Sequence, residues 1–420
     1  MREQDYAAPP TEARARSPLG REFRLYAVGR VVSVVGDRIA LIALVFLVIH
    51  LSRAYAPAVS LFYVARLLPS LLAGLIAGVA ADHFDRRRLM IGCDVGRAVL
   101  LAAVPAVAAL NLWTVYPTVF ALNIMNSLFD TSARAALPDV VSEDRLTDAN
   151  AILNGIATSA DFFYGIGGAL IFALGYRLPF FIDAATFLFS ALTIAAMRIP
   201  RNQQGPLPDL AAVGARVKAG FRYLVSQPFL KWGALTFGFA AFAGGIAFVV
   251  APLYANRALA HSAHLFGPLR SGAFRFSVME VALGMGAVGG SALTARIAKR
   301  FPRGLLFGMG MTGAGLAYGA LAFTTNMYVA LACVLVFGLS NSAFVVAGFT
   351  LIQTLTPSQM RGRVLAAVTT LITASLALGS AVSAGLLAFL SYSQLWLLIG
   401  VIIVVATLFV WERPEIRRQH

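Results

Sequence analysis

The chain has 420 residues, 59% of them hydrophobic and 13% charged, with a formal net charge of +15. So little charge cannot cover a soluble protein of this length, which excludes a globular enzyme. The positive balance does not indicate nucleic acid: the basic residues are almost all Arg and lie in short loops between apolar runs, where attraction to anionic headgroups and topological anchoring account for them.

Residues 1–22 are polar and lack the apolar core and cleavage site of a signal peptide, so they read as a disordered cytoplasmic tail. Beyond them, apolar runs of about 20 residues recur, each long enough to cross a bilayer as a helix. The alternating segments of about 10 residues that an outer-membrane barrel needs do not occur. Twelve spans are expected, at 25–50, 58–81, 89–111, 114–137, 149–174, 178–197, 229–254, 274–297, 304–324, 327–354, 364–390 and 393–411. Basic residues gather at Arg14 to Arg24, Arg86 to Arg88, Arg198 to Arg222, Arg296 to Arg303, Arg361 and Arg363, and Arg413 to Arg418, all on one side of this arrangement. Short Arg-rich loops stay inside, so both ends of the chain are expected in the cytoplasm. The opposite loops are short and nearly uncharged except 255–275, which holds Arg257, His261, His264, Arg270 and Arg275. These form a positive vestibule that either aids release of anions or is a solvated loop. The two histidines alone make no metal site.

The expected organisation is a six-helix bundle over 23–198, a linker over 199–228, a second bundle over 229–412 and a tail over 413–420. In the linker, Leu210, Val213, Val217, Phe221 and Leu224 recur at helical spacing opposite Arg216, Lys218 and Arg222. That pattern is a basic amphipathic helix at the inner membrane face, or a solvated linker. A slide of about 212 residues lays Gly74 and Gly78 on Gly286 and Gly290, Asp82 on Thr294, Arg87-Arg88 on Lys299-Arg300, and Gly167-Gly168 on Gly379-Ser380. One offset at separated places implies two parallel repeats. Cys93 and Cys333 both sit in apolar runs and imply no disulfide framework.

Gly78-x-x-x-Asp82-x-x-x-Arg86-Arg87-Arg88 resembles the loop between helices 2 and 3 of the major facilitator superfamily, departing at Asp85, where the general pattern has Gly. Asp94-x-x-Arg97, Gly36-Asp37, Ala133-Arg134-Ala-Ala-Leu137-Pro138, Phe181-Ile-Asp183 and Met360-Arg361-Gly362-Arg363 are similar to the branch of macrolide, multidrug and siderophore exporters. The resemblance covers about residues 20–412 and implies an all-α polytopic membrane protein of twelve transmembrane helices in two pseudo-symmetric six-helix bundles.

No nucleophile elbow, Walker phosphate loop, paired Cys or His-Glu-x-x-His motif occurs, so no catalytic residue, metal or cofactor is expected, and the energy source is an ion gradient or the substrate's own. Ionisable groups inside spans are costly and are therefore site candidates. Asp94 with Arg97, and Asp130 with Arg134, have spacings that suggest structural ion pairs. Asp37 faces Arg66 or no cation. Asp161 and Glu280 have no basic residue within a turn, so these carboxylates, with Arg66, are the candidates for proton coupling or substrate binding. Gly78, Asp82, Asp85, Arg86, Arg87 and Arg88 are the gating candidates. Asp82 faces the N-terminus of helix 11 across the halves, and the arginines face Asp139, Glu143 or Asp144.

The expected function is proton-coupled export of hydrophobic or amphipathic small molecules by alternating access, from a monomer in the bacterial inner membrane. The competing readings are a siderophore, lipid or metabolite transporter, and a membrane sensor or assembly factor. The expected partners are a small molecule and the bilayer, without nucleic acid.

Overall fold

The computed structural model describes residues 19–199, 210–261, 267–298 and 300–411; within these, the side chains of 73–83, 158, 161, 210–213, 216–217 and 409–410 lie outside the description. The expected tails fall outside it as well, except that the first helix starts by Arg21. Fourteen α-helices and no strand occur among the described residues. They are α1 Arg21–Leu51, α2 Ala56–His83, α3 Arg86–Leu110, α4 Val115–Val140, α5 Leu146–Ser159, α6 Tyr164–Leu174, α7 Arg177–Ala195, α8 Leu210–Ser226, α9 Pro228–Arg257, α10 Gly272–Ile297, α11 Arg303–Ala320, α12 Met327–Leu355, α13 Ser358–Phe389 and α14 Tyr392–Trp411.

Two adjustments reconcile fourteen helices with twelve crossings. Helix α8 belongs to the linker, packing on the start of α13, where Gly220 lies against the Arg363 backbone. The fifth crossing, expected as one helix, is instead α5 and α6 joined by a 3-10 turn at Ala160–Phe163. Ser159, Asp161, Phe162, Phe163 and Gly165 are all weak helix formers, and such a run favours the tighter turn. By length and hydropathy eight helices qualify as membrane crossings without help. Helix α4 is not among them, since it carries Asn123, Asn126, Ser127 and Asp130 in its middle.

The two halves pack alike. In the first, α1 packs on α6 and α7, α2 on α4, and α3 on α4 and α7. In the second, α9 packs on α13 and α14, α10 on α12, and α11 on α12 and α14. The second set is the first moved on by six crossings. Glycines make matching contacts in each: a Cβ at Gly167 of α6 would stand 3.1 Å from the Ile39 Cα of α1, and a Cβ at Gly379 of α13 would stand 3.0 Å from the Phe242 carbonyl carbon of α9. The 212-residue repeat therefore records one packing rule used twice, with small residues letting backbones touch.

Between the halves, α2 packs on α13 and α6 on α10. Among the described residues, several contacts that join them lie toward the face opposite the chain ends. Ser60 donates to the Ser380 carbonyl at 2.6 Å, Tyr63 stacks on Phe248 at 5.5 Å between ring centres, and Phe46 meets Phe276 at 5.9 Å. Along that stretch of α1, Ile42, Ala43, Val45 and Val48 are fully buried. The seam is shut on that face.

Candidate functional site

The polar centre of the molecule lies within the first half and is built on a close approach of α1 and α7. A Cβ added at Gly36 would overlap Asp183 Oδ1 and Thr186 Oγ1. Only a glycine leaves room for the Asp183 carboxylate against α1. Asp183 is buried and accepts a hydrogen bond from the Thr186 hydroxyl at 2.8 Å. Two motifs far apart in the chain thus form one junction.

Arg97 of α3 is the hub. It is buried, donates to Asp94 on its own helix and to the Asn126 side chain on α4, and is sandwiched between the rings of Phe129 at 4.5 Å and Phe187 at 4.1 Å. A guanidinium with aromatic faces above and below and a carboxylate at its edge is held in one orientation. Arg97 Nε is buried and has no hydrogen-bond partner among the described residues. A cavity of about 110 Å³ opens beside this group, lined among others by Asp37, Arg38, Arg66, Arg97, Asn126 and Asp183. Arg38 also lies over the Tyr164 ring at 5.4 Å, which places it toward α6 and the seam.

The structure thus brings Asp37, Arg66, Arg97 and Asp183 to one cavity. Asp94 and Arg97 form the ion pair their spacing suggests. The expected pairing of Asp130 with Arg134 does not form: Asp130 accepts from Arg30 of α1 at 3.0 Å, and Arg134 is exposed. A partner on a facing helix displaces the local one because an i, i+4 pair gains only a few tenths of a kcal/mol. Glu280 stands elsewhere, half-buried on α10, within electrostatic range of Tyr63 and Tyr318. Asp161 falls in the 3-10 turn, and its side chain is outside the described residues. Arg275 is not part of a vestibule: it is 2% exposed and donates to the carbonyls of Ala255, Asn256, Leu269 and Arg270, tying down the loop before α10. His261 is described and exposed, 3.1 Å from the Arg257 carbonyl, and His264 is outside the described residues.

In the loop between α2 and α3, Asp85 caps α3, accepting from the Arg88 amide at 2.9 Å. This explains the departure from Gly, since Asp is a strong N-cap. Arg86 pairs with Asp139 at 2.8 Å and donates to the Ala135 carbonyl at 3.0 Å, and Arg87 donates to the last carbonyls of α7, Ile194 and Ala195. Cations at helix C-termini complement the dipole. Gly78 and Asp82 lie in α2, with their side-chain surroundings outside the described residues.

Asp183 and Asn126 were present in the sequence as a motif member and a polar residue, without a sign that both line one cavity with Arg97. The signal was Gly36, a small residue one position before an in-span carboxylate.

A family model described as transmembrane secretion effector, of the major facilitator type, matches residues 14–419. The uncharacterized MFS-type transporter YfiS of Bacillus subtilis (strain 168) is 26% identical over 385 residues, covering 89% of this chain and 88% of its own. The enterobactin exporter EntS of Escherichia coli O127:H6 (strain E2348/69 / EPEC) is 24% identical over 303 residues, 69% of this chain and 67% of the relative. Among solved structures, a bacterial homologue of the human lysosomal transporter Spinster, in an inward-facing and unoccupied conformation, matches with a TM-score of 0.70 at 15% identity, covering 94% of this chain and 97% of that one.

Proposed function

Because the chain belongs to the transmembrane secretion effector family of the major facilitator superfamily, it is a multi-pass membrane transporter, and we propose that it exports hydrophobic or amphipathic small molecules by alternating access, driven by the proton gradient. The observation that carries this reading is the state of the three carboxylates around Arg97. Asp94 is bonded to Arg97 and Asp183 to Thr186, whereas Asp37, among the described residues, makes no hydrogen bond or ion pair. A carboxylate in an apolar bundle that is not committed to a partner is the one able to take up and release a proton. It lines the same cavity as Arg38 and Arg66, so its charge is felt by whatever occupies that space.

In this reading the face with the chain ends is cytoplasmic, as the Arg-rich loops require, and the seam is shut outside. Asp82 serves the opposite gate by drawing the two halves together at the cytoplasmic face, while the Arg86–Asp139 pair ties α3 to α4 within the first half. Siderophore export is the second reading, favoured by the likeness to the enterobactin exporter.

Proteoliposomes with an imposed pH gradient test the proposal, using a panel of amphipathic compounds. Wild type is expected to collapse the gradient only with a transported compound, and Asp37→Asn to lose that coupling by about tenfold or more while remaining folded. Undiminished coupling in Asp37→Asn sinks the assigned role, and retained downhill flux in that variant would separate transport from its energy source.

A further inference from the structure

The shut seam is lined by cations. Arg53, in the turn after α1, and Arg257, at the end of α9, come from different halves, and Arg257 donates to the Arg53 carbonyl at 2.9 Å. Both side chains are exposed. The turn is left-handed at two non-glycine residues, Arg53 (φ 53°) and Ala54 (φ 59°), a conformation such residues seldom adopt. Beside it His50 stacks on Tyr176, with ring centres 5.4 Å apart. No carboxylate offsets this charge, for none of the 19 Asp and Glu residues falls in 49–58, 109–116, 174–178, 254–273, 320–328 or 389–394, the loops of that face.

Two cavities share the Arg53–Arg257 bridge. One, of about 270 Å³, has His50, Tyr176 and Asn256 over the apolar Phe46 and Ile49. The other, of about 780 Å³, extends along the end of α13 and is lined there by Ala384, Leu387 and Leu390. A cationic rim joined to an apolar trough matches a molecule with a charged head and a greasy body.

We propose that this seam binds an amphipathic oxyanion, its phosphate or carboxylate head between Arg53 and Arg257 and its apolar part along Leu387 and Leu390. Guanidinium groups grip such heads through paired, charge-assisted hydrogen bonds. A ligand held by one arginine from each half stabilises the conformation in which this face is shut. The head belongs either to an anionic phospholipid or to a free oxyanion.

Thermal unfolding of the full-length purified protein distinguishes these sources, with inorganic phosphate, phosphatidylglycerol or phosphatidylcholine of the same chains added in turn. Phosphatidylglycerol is expected to raise the unfolding midpoint by about 3 °C or more, and phosphatidylcholine not to. Arg53→Gln and Arg257→Gln should each raise the half-saturating concentration about tenfold, the loss of one charge-assisted bond, while Arg257→Lys retains part of the affinity. A larger effect of phosphatidylglycerol than of phosphate assigns the site to lipid, whereas an equal effect leaves only a head-group site for a free oxyanion and overturns the apolar part along Leu387 and Leu390. Equal shifts with phosphatidylglycerol and phosphatidylcholine, no shift with either anion, or a shift that survives in both glutamine variants overturns the whole site.

Discussion

The two halves share a packing plan and differ in what fills it. The interior of the first half is charged: Asp94, Arg97 and Asp183 are buried within it, with Asp37, Arg38 and Arg66 at the edge of its cavity. The matching interior of the second half is aromatic. Phe237 of α9 meets Phe344, Phe349 and Phe307 with ring centres 4.6, 5.1 and 5.7 Å apart, and Tyr318 stacks on Phe337. The one deeply buried cation of that half among the described residues, Arg275, is committed to backbone carbonyls near the closed face. The difference teaches that a duplicated scaffold need not divide its work evenly. Charge that changes with proton or substrate can sit in one half while the other supplies a stiff surface to rock against.

The largest expected effect breaks the charged half at its hub. Arg97→Leu leaves Asp94, which is 0% exposed, as an uncompensated buried charge, a loss of about 3–5 kcal/mol. Adding Asp94→Leu should recover much of it, because an apolar pair of similar volume is often as stable as the ion pair. Phe237→Ala in the second half costs a comparable 3–5 kcal/mol by opening a cavity among the rings. The two should part in the pH dependence of flux, which Phe237→Ala leaves in place and the Arg97 and Asp94 variants displace. Unfolding curves and flux profiles of the three variants decide it, and a displaced profile in Phe237→Ala would end the division of labour.

Much of this arrangement was legible in the chain. Apolar runs locate the crossings because a helix satisfies all its backbone groups within one segment in lipid, and the 212-residue offset reports real contacts, at Gly167 against α1 and Gly379 against α9. Partners were less legible. Asp130 takes Arg30 from α1, 100 residues away, over the local Arg134, and spacing along one helix cannot reveal which neighbour faces it. Arg275 looked like an exposed loop charge and is buried, since the carbonyls of Ala255 and Asn256 at the end of α9 and of Leu269 and Arg270 in the turn before α10 were available to receive it. The break in the fifth crossing had a local cause, a run of weak helix formers, masked by the apolar content of the span. Asp183 went unassigned for a related reason: its importance depends on the missing side chain of Gly36, and a close approach between helices leaves only a glycine as its trace.

That approach offers a second, smaller test. Gly36→Val forces α1 and α7 apart or pushes Asp183 and Thr186 off their mutual hydrogen bond, an overpacking cost of about 1–3 kcal/mol. Flux per folded molecule should fall with it, because Asp183 lines the cavity it would be driven into. A variant that loses stability but keeps its flux and pH profile would reduce this junction to plain packing, and the polar centre would shrink to Arg97 and its two bonded neighbours.

The smallest effect lies at the rim of the charged half. Arg30 and Asp130 are 3.0 Å apart, but their side chains are 21% and 43% exposed, so the pair is screened and worth no more than about 1 kcal/mol. A double-mutant cycle with Arg30→Gln and Asp130→Asn should give a coupling within that limit, against several kcal/mol for Arg97 with Asp94. The ring of Phe129 complicates this expectation, because it lies 5.7 Å from Arg30 and 4.5 Å from Arg97 and so touches both cations. If the rim pair steadies that ring, Asp130→Asn will alter the pH profile set by the hub as well as stability, and the cycle repeated in Phe129→Leu will lose that share of the coupling. An unchanged cycle in Phe129→Leu would confine the functional charges to the cavity and leave Arg30 and Asp130 as a clasp between α1 and α4.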